Sequence, residues 1–179
     1  MSQVASVYAQ GLYSLAREEQ QEKTFLQQLE VLREAFSQEP DFLRLLSSHN
    51  LTKQERCQVL EDSFRDRVHP YILNFMKLLT EKSYIRQFPQ CCKAFTELYN
   101  EAHNILPVQA VSAVELSQEQ KDRLTRKLEA ITGKKIQLSC RLDGACLGGL
   151  RLDYDGRRVD GTVANTLSQI SNMLKNTVL

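Results

Sequence analysis

Asp143–Val163 reads DGACLGGLRLDYDGRRVDGTV. Its three Asp-Gly pairs, at Asp143-Gly144, Asp155-Gly156 and Asp160-Gly161, are turn signals, because both residue types tolerate a left-handed backbone. Between the first two pairs, Leu150, Leu152 and Tyr154 alternate with Arg151, Asp153 and Asp155. That period of two predicts a half-buried strand. Asp155-Gly156 then predicts a tight hairpin and a short strand beyond it. Gly148-Gly149 stands at the strand's start, where close backbone packing excludes side chains. The stretch is rich in backbone instructions and poor in reactive side chains, which points to an interaction module built on a small sheet.

Upstream, Ile136, Leu138, Cys140 and Leu142 alternate with Lys135, Gln137, Ser139 and Arg141, a second half-buried strand. Before it, Ser117 and Gln120 form a capping-box pattern that opens a helix carrying Leu124, Leu128 and Ile131. Gly133 fits the left-handed position that ends it. Pro107–Leu116, rich in Val and Ala, predicts a strand with both faces partly covered. Downstream, Asp160 or Thr162 can cap a last helix with the stripe Val163, Leu167, Ile170, Leu174 and Val178.

The first 105 residues read as helices throughout. Val4, Tyr8, Leu12 and Leu15 repeat at helical spacing, as do Phe25, Leu29, Leu32 and Phe36. Pro40 suits the first turn of a short helix over Asp41–Ser47. Thr52 and Glu55 form another capping box, and His69-Pro70 breaks the helix that follows. Pro70–Lys82 is apolar over a wide arc (Tyr71, Ile72, Phe75, Met76, Leu78, Leu79), so this fifth helix is either central or shared with a partner. A sixth spans about 84–104, kinked by Pro89 or starting after it. The fold expected is therefore α+β in two domains. Residues 1–105 form a six-helix bundle. Residues 106–179 form a small mixed α/β domain of strand, helix, strand, strand and helix.

Composition narrows the function. The net charge is +1, and a split near Leu106 gives −2 before and +3 after, too mild a field to steer a nucleic acid. Neither a transmembrane span nor a secretory leader is expected. The five cysteines (Cys57, Cys91, Cys92, Cys140, Cys146) include no C-x-x-C pair and read as reduced, mostly buried thiols. Gly144–Gly149 lacks the lysine, hydroxyl and following helix of a phosphate loop. Asp153, Asp155 and Asp160 lack the further oxygen ligands of a calcium loop, and turns and caps account for them. No cofactor, no metal and no catalytic residue is expected.

The C-terminal half resembles the ATP synthase delta subunit family, which includes the mitochondrial oligomycin-sensitivity-conferring protein. The resemblance rests on Asp143, Leu147-Gly148-Gly149-Leu150, Asp155-Gly156 and Asp160-Gly161-Thr162-Val163 with Leu167 on the helix. Tyr8-Ala9 with Leu12 and Ala16 is similar to the family's first helix. Asn74-Phe75, Leu78-Leu79 and Glu81-Lys82 are similar to its fifth. Gly11 stands where the family usually has alanine, Ser83-Tyr84 replaces a usual Gly-Arg, and Ala145-Cys146 is an unusual filling before Leu147.

The resemblance implies a non-catalytic stator part of an F-type ATP synthase, in the peripheral stalk at the cytoplasmic face of the cell membrane. It would be held at the membrane only through the complex. The helical domain would grip N-terminal helices of the alpha subunits in a groove between the first and fifth helices. The C-terminal domain would hold the C-terminal ends of the b subunits. Tyr8, Leu12, Leu78 and Leu79 are the candidate groove anchors, each alternatively a core residue. Asp143, Gly148, Gly149, Asp160, Gly161 and Thr162 are assigned to shaping the fold. A rival reading, a small RNA-binding adaptor, shares the strand–helix–strand–strand–helix order. It lacks a Gly-x-x-Gly clamp and paired aromatics on a sheet face.

Overall fold

The structure, a computed structural model, describes residues 3–48, 50–143, 150–154 and 156–161, with the backbone alone at 157, 159, 160 and 161. The chain divides between Tyr99 and Asn100 into two compact units. Ahead of the first strand lie α1 (Gln3–Glu18), α2 (Glu22–Gln38), α3 (Pro40–Leu46), α4 (Lys53–Phe64), α5 (Pro70–Glu81), a 3-10 turn (Ile85–Gln87) and α6 (Phe88–Ala102). Pro89 falls in the first turn of α6, where its missing N–H leaves no bond unmade, so the helix starts late instead of kinking. Thr52 and Glu55 make both bonds of their capping box. Thr52 Oγ1 accepts from Glu55 N at 3.2 Å, and Glu55 Oε2 accepts from Thr52 N at 2.7 Å. Those bonds hold the Glu55 carboxyl below its ordinary range.

The helical unit has one core, in which Phe25, Leu29, Leu46, Leu60, Ile72, Met76, Leu79, Ile85, Phe88 and Phe95 are fully enclosed. Phe36 is the hub of its aromatic part, with ring centroids 5.0 Å from Phe88, 5.6 Å from Phe42 and 6.0 Å from Phe64. The core face of α1 is Ala5, Ala9, Leu12 and Ala16. This corrects the expected stripe, in which Val4 and Leu15 were placed with Leu12. Three alanines let α1 approach its neighbours closely, and Leu15 is left at the surface.

The second unit holds a four-stranded sheet in the order β2-β1-β3-β4, with β1 Ile105–Ser112, β2 Lys135–Leu142, β3 Leu150–Tyr154 and β4 Arg157–Gly161. α7, Gln118–Thr132, crosses between the parallel pair β1 and β2, and the other pairings are antiparallel. β1 starts two residues before the expected strand and ends at Ser112. Pro107 is tolerated in this central strand because β3 pairs only with Val108–Ser112, so one edge of β1 is open beside the proline. Val108, Ala110, Leu128, Leu152 and Tyr154 form the core on the α7 side, with Leu124, Ile136, Leu138 and Leu150 against it. Ser117 and Gln120 cap α7, and Gly133 ends it at φ +66°. Tyr154 pairs with Arg157 across a two-residue turn whose second residue, Gly156, has φ +71°. The fold is thus α+β.

Candidate functional site: an apolar channel between α1 and α5

α1 and α5 run antiparallel side by side. Tyr71 Oη, at the start of α5, donates to Glu19 Oε1 beyond the end of α1 at 3.3 Å. Tyr84, past the end of α5, meets the Tyr8 ring near the start of α1 at 6.0 Å between centroids. The two contacts bound a strip that covers eleven residues of α1, about 16 Å at 1.5 Å per residue.

The outward side of α1 along this strip carries Tyr8, Gly11 and Leu15, spaced by three and four. The outward side of α5 carries Tyr71, Asn74 and Leu78, spaced likewise. Leu15 and Leu78 are 41% and 40% exposed, and Tyr71 and Tyr84 are each 37% exposed. Tyr8 is half-buried against the core. A Cβ built on Gly11 meets nothing within 4 Å, so the middle of the strip is open. The result is a largely apolar strip interrupted at its middle by Gly11 and Asn74.

The four anchors expected from sequence divide. Tyr8 and Leu78 reach the surface. Leu12 and Leu79 lie in the core at 3% and 0% exposure, beneath the strip, and they support it without facing solvent. Leu15, Tyr71 and Tyr84 were not among the anchors. Tyr71 carried a signal, because it stands seven residues before Leu78 on one helical face. Tyr84 carried none, because only the chain reversal after α5 brings it beside Tyr8.

That reversal is specific. Tyr84 N donates to Leu79 O at 2.7 Å and Ser83 N to Thr80 O at 3.0 Å, the paired bonds of a Schellman ending. Ser83 takes the left-handed position at φ +62°, where glycine is the usual occupant. At the other end of α5, His69 Nδ1 accepts from Tyr71 N at 3.3 Å, and His69 N donates to Gln28 Oε1 at 2.7 Å. Both ends of α5 are therefore fixed, which fixes Tyr71 and Tyr84.

Of the motif in the second unit, Asp143 is half-buried and donates its N–H to Ser112 O at 3.0 Å. Its carboxylate stands 3.9 Å from Arg151 Nη2. Asp160 pairs with Arg151 and Gly161 with Leu150 in the β3–β4 ladder. Gly148, Gly149, Thr162, Cys146 and the stripe from Val163 onward lie outside the described residues. On the sheet face opposite α7, Asp153 holds both Arg151 (3.3 Å) and Arg158 (3.1 Å). Tyr154 faces α7, so among the described residues β3 places no aromatic side chain on this face.

Among the described residues no group of three His, Cys, Asp or Glu is placed to hold a metal ion, and no helix is long and apolar enough to cross a membrane. Of the described cysteines, Cys140 is exposed, while Cys57, Cys91 and Cys92 are poorly placed for nucleophilic work. Burial pushes Cys91 up to about 11 and pushes Cys92 higher still. Burial, with the Glu81 carboxylate adding to it, raises Cys57.

The fold defines a two-unit α+β protein with an exposed apolar strip on its helical unit. The comparisons narrow that class. The sequence model of the ATP synthase delta (OSCP) subunit family matches residues 4–174. The chain is 30% identical over 172 residues to the ATP synthase subunit delta of Moorella thermoacetica, covering 96% of each chain. It is 29% identical over 171 residues to that of Alkaliphilus oremlandii, covering 96% of this chain and 95% of the relative. A chain of the Toxoplasma gondii mitochondrial ATP synthase hexamer shares the fold, with a TM-score of 0.72 at 17% identity over 97% of this chain and 98% of that one.

The chain belongs to the ATP synthase delta (OSCP) subunit family. As a member it is a non-catalytic, structural subunit of ATP synthase, on the stator side of the machine.

Proposed function

We propose that this chain ties the catalytic head of an F-type ATP synthase to its peripheral stalk, so that the head stays still while the central stalk turns. In this reading residues 1–105 act as a six-helix domain that receives an N-terminal helix of an alpha subunit between α1 and α5. Residues 106–179 act as a second domain that holds the C-terminal ends of the b subunits. Asp143, Gly148, Gly149, Asp160, Gly161 and Thr162 shape that second domain. The protein works at the cytoplasmic face of the cell membrane and reaches it only through the complex. It needs no cofactor.

The observation that carries the reading is the channel. Tyr8, Leu15, Tyr71, Leu78 and Tyr84 offer apolar side chains to solvent along two antiparallel helices whose inner faces already fill a core. An apolar strip in that position has further burial to gain from an occupant. The test is calorimetry with a peptide of the alpha subunit's N-terminal helix from the same organism. Leu78→Asp should weaken binding by about tenfold or more, roughly 1.4 kcal/mol, while circular dichroism stays unchanged. Undiminished binding by the folded variant removes the channel from the account.

A further inference from the structure

The start of α5 hangs on one imidazole nitrogen. Pro70 stands first in the helix and has no N–H to place. Ile72 N and Leu73 N donate to the His69 carbonyl oxygen at 2.9 and 3.1 Å. Tyr71 N–H is the first-turn donor left, and its acceptor is His69 Nδ1 at 3.3 Å. The imidazole thus fills the capping role in which an Asn, Asp, Ser or Thr oxygen is usual. It differs from the Asn, Ser and Thr caps in taking a proton between mild acid and mild alkali.

An imidazole that accepts at Nδ1 is neutral, because in the charged ring both nitrogens donate. A proton at Nδ1 removes the acceptor of Tyr71 N–H. It also sets a positive charge at the end of α5 where the backbone dipole is already positive. From α2, the Phe25 ring lies 4.8 Å from the imidazole and Gln28 Oε1 takes the His69 N–H; neither titrates. From α5, the Tyr71 ring lies at 5.3 Å. Glu19, just past the end of α1, is engaged by Tyr71 Oη, and Asp66 and Arg67 stand in the turn that leads into His69. The two aromatic rings attract a charged imidazole and keep it in place, but neither returns an acceptor to Tyr71 N–H.

We propose that His69 is a proton-sensitive cap: neutral, it holds the first turn of α5; protonated, it lets that turn go, and Tyr71 with it. Tyr71 forms one end of the apolar strip on α1 and α5. The consequence for docking rests on the function proposed above: an alpha-subunit helix is held less tightly in acid, because the strip has lost its Tyr71 end.

The test compares the full chain with His69→Asn, whose amide oxygen caps at any pH, and with His69→Ala, which has no cap. Amide exchange is read by NMR at about pH 8 and about pH 5, the limits between which imidazoles titrate, as protection relative to the unfolded chain at the same pH. In the unaltered protein the Tyr71 amide should lose protection about threefold or more in acid. It should keep that protection in His69→Asn and lack it at both pH values in His69→Ala. Equal protection at both pH values in the unaltered protein, or an equal fall in His69→Asn, overturns the proposal. Calorimetry with the alpha-subunit peptide then reads the consequence. The affinity of His69→Asn relative to the unaltered protein should rise about threefold from the alkaline to the acid measurement, a ratio from which the peptide's own titration cancels. A ratio that stays level, for a peptide that Leu78→Asp weakens, overturns the docking consequence. A peptide indifferent to Leu78→Asp removes the strip's function instead, and the cap is then judged by the Tyr71 amide, which needs no peptide.

Discussion

Single residues decide where several helices stop. Gln20 at φ +55° and Ser83 at φ +62° hold the left-handed positions after α1 and α5, and Asn104 at φ +55° holds the one after α6. A side chain with a Cβ is strained there by about 1 kcal/mol or slightly more. Ser83→Gly should therefore stabilise the protein by up to about 1 kcal/mol, read as a raised urea midpoint at unchanged slope. A lowered midpoint contradicts the strain argument. Helix ends marked by a glycine or a capping box were legible in the sequence, as Gly133, Thr52 and Ser117 were. Those at Gln20 and Ser83 were not, because neither residue type favours the conformation it adopts. The buried thiols give a second residue-scale prediction. A thiol pushed up in the folded state ionises first in the unfolded chain, so unfolding gains relative to folding as the medium turns alkaline. The contribution of Cys91 should be level below the ordinary thiol value of 9.0 and fall from there through about 11. Changing Cys91 to alanine should remove part of that fall in denaturation curves measured against pH.

At the scale of elements, α5 shows why a helix can be read and its surface misread. Its wide apolar arc signalled that it is central or shared; its inner side is central, and the proposed sharing falls on its outer side. Ile72, Leu73, Phe75, Met76 and Leu79 face inward, while Tyr71 and Leu78 face out. Sequence spacing alone could not separate Leu78 from its buried neighbour Leu79, nor show that alanines form the core face of α1. The two kinds of position should answer one substitution oppositely. Leu12→Asp places an unpaired carboxylate in the core and should destabilise by about 3 kcal/mol or more in chemical denaturation. Leu78→Asp should change stability by less than about 1 kcal/mol and act on binding instead. Similar stability losses in both would mean that the channel is part of the core. α4 and α5 are also tied by Lys77 and Glu61, both partly buried, which steadies the back of the channel wall.

At the scale of the whole molecule, two units with separate cores give two surfaces that can be altered one at a time. Their α and α/β characters were plain from the change in hydrophobic period near residue 105, because periods of 3.6 and 2 are hard to confuse over runs this long. The strand order β2-β1-β3-β4 was not legible, since nothing local states which strands become neighbours. Removal of Pro107–Leu179 should abolish binding to b-subunit ends in a pull-down and spare binding to the alpha-subunit helix. Retained stalk binding by that truncation would move the stalk site into the helical unit. The claim beneath all of this is mechanical: the chain bonds head to stalk and transforms nothing. Membranes stripped of the chain and resupplied with catalytic head test it directly, through ATP-driven proton pumping together with the head's own rate of ATP hydrolysis. The account predicts that adding the chain restores pumping and leaves the hydrolysis rate of the free head unchanged, with Leu78→Asp impaired in restoring pumping. Pumping that is equally strong without the chain, or that Leu78→Asp restores as fully as the unaltered protein, would contradict it.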